Sequence, residues 1–185
     1  MYVIVRILPA RKGTRESDAM YRKIEDFIEG WKYETEATLK VFNALTDASL
    51  SQKVGDDGRS LGFLAWHIVL TLGEMPEKVG LHIDCPPYET ETPPAAAEIA
   101  AAFETAANSV SAEVAKNWTD ETLLQEDEMY GDKWKRGQTL NALVLHQAHH
   151  RGQMTVLMRQ AGVPVPGIYG PSREEWEAYG MPAMA

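Results

Sequence analysis

A chain of 185 residues with 44% hydrophobic and 24% charged side chains has the make-up of one soluble globular domain. No run in it approaches the ~18 apolar residues of a membrane span. The formal charge of −9 repels a phosphate backbone, and the small basic groups "RILPARKGTR" and "DKWKR" do not reverse that field, which argues against nucleic acid as a partner.

Residues 1–19, "MYVIVRILPARKGTRESDA", pair a short β-branched run with a polar connector. They read as a peripheral N-terminal extension to a domain spanning 20–185. From Asp18 or Tyr21 to about Leu45, apolar residues such as Phe27, Ile28, Trp31, Leu39 and Phe42 recur at helical spacing and predict a first helix. After the loop "DASLSQKVGDDGRS", Ser60 is placed to cap a second helix through "LGFLAWHIVLTLGEM". That helix is apolar nearly all the way round, which implies burial on more than one side, in the bundle or against a second subunit.

The segment "CPPYETETPP" ends the first half. It contains Cys85, the single cysteine, which cannot close an internal disulfide. With no secretory signal read ahead of the domain, the expected compartment is a reducing cytoplasm. Two prolines follow Cys85 and no helix start stands by to lower its pKa, so it reads as a loop cysteine without a catalytic role.

The alanine-rich stretch "AAAEIAAAFETAANSVSAEVAKNW" predicts a third helix. Residues 119–138 read as an irregular excursion with a short hairpin at Tyr130-Gly131-Asp132. A fourth helix is expected from about Thr139 to Gln160, stopped by Gly162 and Pro164, and a short tail helix carries Ser172 as cap with Glu175 at the capping-box position. Four long helices without a sheet-building pattern predict an all-α, four-helix bundle.

Three of the five histidines fall within "LHQAHHRGQM" on the fourth helix. At about 100° per residue, His150 lies about 40° and His149 about −60° from His146. Leu140, Leu143, Met154, Leu157 and Met158 mark the inward face on the same wheel, so His146 and His150 point inward and His149 sits at the margin. An i, i+4 pair can direct two imidazoles to one point. The natural third ligand is His67, in the middle of the apolar second helix, where an unpartnered histidine is costly to bury. His82, in the loop after Gly80, is the weaker candidate.

Gln147 stands where a zinc protease carries its glutamate base, so metal-assisted peptide hydrolysis lacks its proton acceptor. An all-nitrogen donor set suits divalent Zn, Ni, Fe or Cu.

The inward histidine after "LGFLAW", the stretch "HQAHHRGQM" and the following "AGVPVPGIYGPSREEW" together resemble the DinB/YfiT-like superfamily of metal-binding bundles. The resemblance runs from about Met20 to the C-terminus. It implies a four-helix bundle of unusual connectivity, often a homodimer, with His67, His146 and His150 as the three metal ligands. It also implies chemistry on a low-molecular-weight thiol and a small-molecule substrate, as in a thiol S-transferase.

Beside these ligands, His149, Arg151 and Gln153 are candidates to support the metal ligands or touch substrate. Arg151 suits a salt bridge or a substrate carboxylate, Gly152 a close helix approach, and Gln153 the orientation of a ligand. Tyr169 and Trp176 of the tail are candidate pocket walls. Two rival readings remain: a non-catalytic metal-binding or stress-response protein stapled by its ion, and a metal-free interaction module with ordinary core histidines.

Overall fold

Residues 21–182 are described by the structure, a computed structural model. The expected N-terminal extension lies outside them. In chain order the elements are α1 (Ile24–Asn43), a 3-10 turn (Asp47–Ser51), α2 (Leu61–Glu77) and α3 (Ala96–Asn117). A second 3-10 turn (Glu121–Leu124) leads into a hairpin of β1 (Glu126–Met129) and β2 (Asp132–Lys135), and α4 (Arg136–Gln160) and a 3-10 tail helix (Arg173–Tyr179) complete the chain. No described helix is long and apolar enough to cross a membrane.

The helices close a ring in which α1 packs on α3, α3 on α2, α2 on α4 and α4 on α1. Sequence neighbours α1 and α2 therefore sit diagonally, as do α3 and α4, which departs from simple up-down-up-down connectivity. The core fills from all four helices: Phe27, Trp31 and Phe42 meet Leu61, Ile68 and Leu72, Ile99 and Phe103, and Leu140, Leu143, Met154 and Met158. Phe42 and Phe103 meet edge to face at 5.1 Å, and the Trp31 indole donates to the Ala107 carbonyl at 2.9 Å.

Twelve of the seventeen residues of α2 are buried. The chain supplies the cover itself: α3 on one side, α4 on another, and the segment after α2, where Val79, Leu81 and Ile83 are buried and the Thr90 carbonyl accepts from the Trp66 indole at 2.8 Å. The all-round apolarity of α2 thus needs no second subunit to account for it.

Helix ends are satisfied in two ways. Ser60 Oγ accepts from the Phe63 N–H, as its position predicts. By contrast α1 and α3 follow Lys23 and Ala95, which supply no side-chain cap. Asp120 Oδ1 instead accepts the Ile24 N–H at 2.9 Å, and Asp47 Oδ1 the Ala96 N–H at 2.8 Å. Each carboxylate also places negative charge at the positive end of a helix dipole.

The excursion before α4 is an antiparallel hairpin turned by Tyr130 and Gly131, both at positive φ (54° and 86°), as a two-residue type I′ turn requires. Its second strand runs straight into α4, which starts at Arg136 rather than Thr139. The Arg136 guanidinium holds Asp127 of β1 at 2.9 Å and so fixes that junction. At the other end Gly162 takes φ +71°, and the Val163 N–H returns to the Met158 carbonyl at 2.8 Å. The tail helix forms as a 3-10 turn, with the Glu175 carboxylate accepting from the N–H groups of Ser172 and Gly167.

Candidate metal centre

The α2–α4 contact brings His67, His146 and His150 together, with one ring nitrogen of each within 4.8 Å of the others. His146 Nε2 lies 3.1 Å from His67 Nε2 and 3.1 Å from His150 Nε2. Among the described residues no carboxylate or thiol completes the group.

The outer nitrogens decide what the inner ones can do. His150 Nδ1 faces Gln153 Oε1 at 2.7 Å, so Nδ1 carries the proton and Nε2 presents a lone pair. Thr71 Oγ1 donates to the Ile68 carbonyl at 2.9 Å and can therefore accept from His146 Nδ1, 3.4 Å away. That tautomer turns the lone pair of His146 Nε2 toward the same point. Lone pairs aimed at one another repel unless an electrophile lies between them. Three neutral imidazoles arranged in this way match a tri-nitrogen site for a transition-metal cation.

The surroundings keep the imidazoles neutral. Burial, with help from the neighbouring histidines and the Arg59 cation, lowers His67 from 6.5 to about 4 and His146 to about 3. His150 is lowered as well, again chiefly by burial and against the upward pull of its bond to Gln153. Each therefore offers a donor pair at neutral pH without first losing a proton.

The flanking candidates separate clearly. His149 is exposed, its ring 4.9 Å from that of His150, and its Nε2 accepts from the Gln153 amide at 3.1 Å. Gln153 therefore links His150 to His149. Arg151 faces the opposite side: its guanidinium is only 1% exposed and donates to the Glu34 carboxylate and to the Tyr169 hydroxyl, to Thr38 Oγ1 at 2.7 Å and to the Glu34 carbonyl at 3.1 Å. That burial withholds it from any solvent-borne ligand.

Gln147 is also turned toward α1, where its amide oxygen meets Thr38 at 3.1 Å, so it stands as no base for the cluster. Gly152 is exposed and a Cβ there would meet nothing within 4 Å, which corrects the expectation of a close helix approach: it lies on the solvent side of α4. Tyr169 is engaged by Arg151 and Glu34, and Trp176 is half-buried.

His82 is exposed and outside the cluster. Cys85 is half-buried, donates to the Val69 carbonyl at 3.3 Å and is pushed up to about 11 by burial, which leaves it protonated and unreactive at neutral pH.

Sequence reasoning passed over one line of residues. Arg59, Phe63, His67 and Thr71 follow one another at intervals of four. The Arg59 guanidinium lies 5.1 Å from the Phe63 ring centre, and the Phe63 ring stacks on His67 at 6.0 Å and 12°. That spacing was the available signal, obscured because Phe63 reads as one more apolar residue of a buried helix; here it is 42% exposed.

Comparison with known proteins agrees with this architecture. The family model described as DinB family matches residues 20–183. An uncharacterized protein of Bacillus subtilis, YrdA, is 40% identical over 164 residues, covering 89% of this chain and 98% of the relative. The crystal structure of a DinB-like protein from Bacillus cereus superposes with a TM-score of 0.78 at 39% identity, covering 81% of this chain and 100% of that one. A DinB-like protein from Bacillus subtilis shares the fold at 19% identity, with a TM-score of 0.60 and coverage of 76% and 96%. With nearly all of the bundle matched by the family model and a relative at this identity covered almost end to end, the chain belongs to the DinB family.

Proposed function

We propose that His67, His146 and His150 hold one divalent metal ion and that the protein is a metal-dependent enzyme acting on a small thiol, as an S-transferase or a related catalyst. The observation that carries this reading is the convergence of three Nε2 atoms whose two α4 members have their Nδ1 protons directed to other acceptors. Bound there, a divalent ion supplies Lewis acidity that keeps a coordinated thiol in its thiolate form at neutral pH.

The chain's own part is to present neutral donors in a fixed orientation. Gln153 and Thr71 set the rings of His150 and His146. His67 and His146 are only half-buried, which leaves the cluster reachable from solvent. His149 stands at the exposed rim, placed to exchange a proton with solvent or substrate. Three protein donors rather than four also favour catalysis over a purely structural ion, since a closed structural site uses a full tetrahedral set. The apolar core further closes from four helices independently of the histidines.

Elemental analysis of the freshly purified protein tests the reading. One equivalent of metal per chain, lost in His146→Ala with the helical circular dichroism retained, is the expected result. A metal-free protein that also fails to take up added zinc, nickel or iron contradicts it. Turnover of a small thiol with a generic electrophile, present in the loaded protein and absent in His146→Ala, separates the enzyme from a binding protein.

A further inference from the structure

The stack beside the cluster has a chemical direction. Phe63 stacks on His67, and the Arg59 guanidinium lies over the Phe63 ring. Arg59 is exposed, makes no hydrogen bond among the described residues, and has no carboxylate within 4.0 Å there, although Asp57 and Asp56 are two and three residues away. It also immediately precedes Ser60, the N-cap of α2, where the helix dipole disfavours a cation. Its position is therefore not explained by an ion pair or by helix stability.

What the position does supply is positive charge next to neutral ligands. Through the Phe63 ring, that charge stands beside His67 of the cluster. On a chain of net charge −9, that corner is locally suited to an anion.

We propose that Arg59 is the specificity residue of this site, receiving a carboxylate of the substrate while Phe63 lies against an apolar spacer and the opposite end of the substrate reaches the three histidines. The substrate class that fits is a small thiol carrying a carboxylate a few bonds from sulfur. One guanidinium fork matches one carboxylate in a bidentate pair, and the exposed edge of Phe63 covers the intervening methylenes. This assignment rests on the metal-dependent reading of the cluster and deepens it by naming the charge of the ligand.

The test uses cobalt-loaded full-length protein, with 3-mercaptopropionate and its methyl ester as probes and the sulfur-to-cobalt charge-transfer band as readout. Wild type is expected to bind the acid about tenfold more tightly than the ester, the scale of one charge-assisted hydrogen-bonded contact. In Arg59→Gln that preference should vanish while ester affinity stays unchanged, and added salt should erode the preference in wild type. Arg59→Lys should keep part of it, through charge without the fork.

A preference that survives in Arg59→Gln would assign it to chelation by the metal and overturn the proposal. Equal affinity for the two probes in wild type would overturn it as well. Failure of wild type to take up cobalt would instead sink the metal reading, and the carboxylate assignment with it. Because Arg59 is exposed and makes no hydrogen bond among the described residues, the variant's melting temperature should match wild type, which separates a local effect from misfolding.

Discussion

Gln153 does the most with the least burial. It is exposed, yet its carbonyl oxygen receives the proton of His150 Nδ1 at 2.7 Å and its amide reaches His149 at 3.1 Å. Gln153→Leu removes the acceptor that fixes the His150 tautomer and should weaken metal affinity about 10- to 100-fold, measured by competition with a chromophoric chelator, with little change in melting. A pH titration follows from the same histidines. His67 and His146 are lowered from 6.5 to about 4 and about 3, mainly by burial. Between pH 6.5 and those values the unfolded chain binds protons that the folded chain refuses, so stability falls as pH falls across that window. Metal-free protein should therefore lose melting temperature steadily from pH 7 to 4. His67→Leu should flatten part of that slope; an identical slope in this variant would remove His67 from the account.

Helices are held at their ends by residues far away in the chain, and this is where sequence reading stops. The ligand pair was legible because an i, i+4 repeat on one helix needs only the 100° turn, and the cap at Ser60 because the N–H it accepts lies three residues on. Asp47 and Asp120, by contrast, receive N–H groups of Ala96 and Ile24, 49 and 96 residues distant. Nothing local marks them as caps. The ring order is hidden for the same reason: helical periodicity says which face is apolar, not which helix covers it. Asp47→Ala should cost about 1 kcal/mol in urea denaturation, the usual value of a lost helix cap, and leave metal affinity unchanged because α3 carries no ligand. A loss of affinity in that variant would mean that α3 helps set the α2–α4 contact.

For the molecule as a whole, the orientation of α4 governs whether its histidines face α2, and the buried pair between Arg151 and Glu34 controls that orientation from the opposite side. Arg151 follows His150 directly. Its guanidinium is held by Glu34 and Thr38 of α1, and Tyr169 of the tail closes the group by donating to Glu34 at 2.9 Å while its ring lies 5.5 Å from the guanidinium carbon. Tyr33 stacks on Tyr169 at 6.1 Å and donates to the Ile168 carbonyl, which ties the tail to α1 a second time. Removing one charge leaves the other buried without a counterion, and Glu34→Gln should accordingly cost about 3–5 kcal/mol. Replacing both, with Glu34→Leu and Arg151→Met, should cost distinctly less, because no stranded charge remains. The tail distinguishes stability from tethering: the double variant should show faster hydrogen exchange across 163–182, since Tyr169 has lost both Arg151 and Glu34 there, whereas the single variant keeps the Arg151 contact and should change less. If the double variant were as unstable as the single one, the penalty would lie in packing volume rather than charge, and the pair would cease to explain how α4 is held in register with α2.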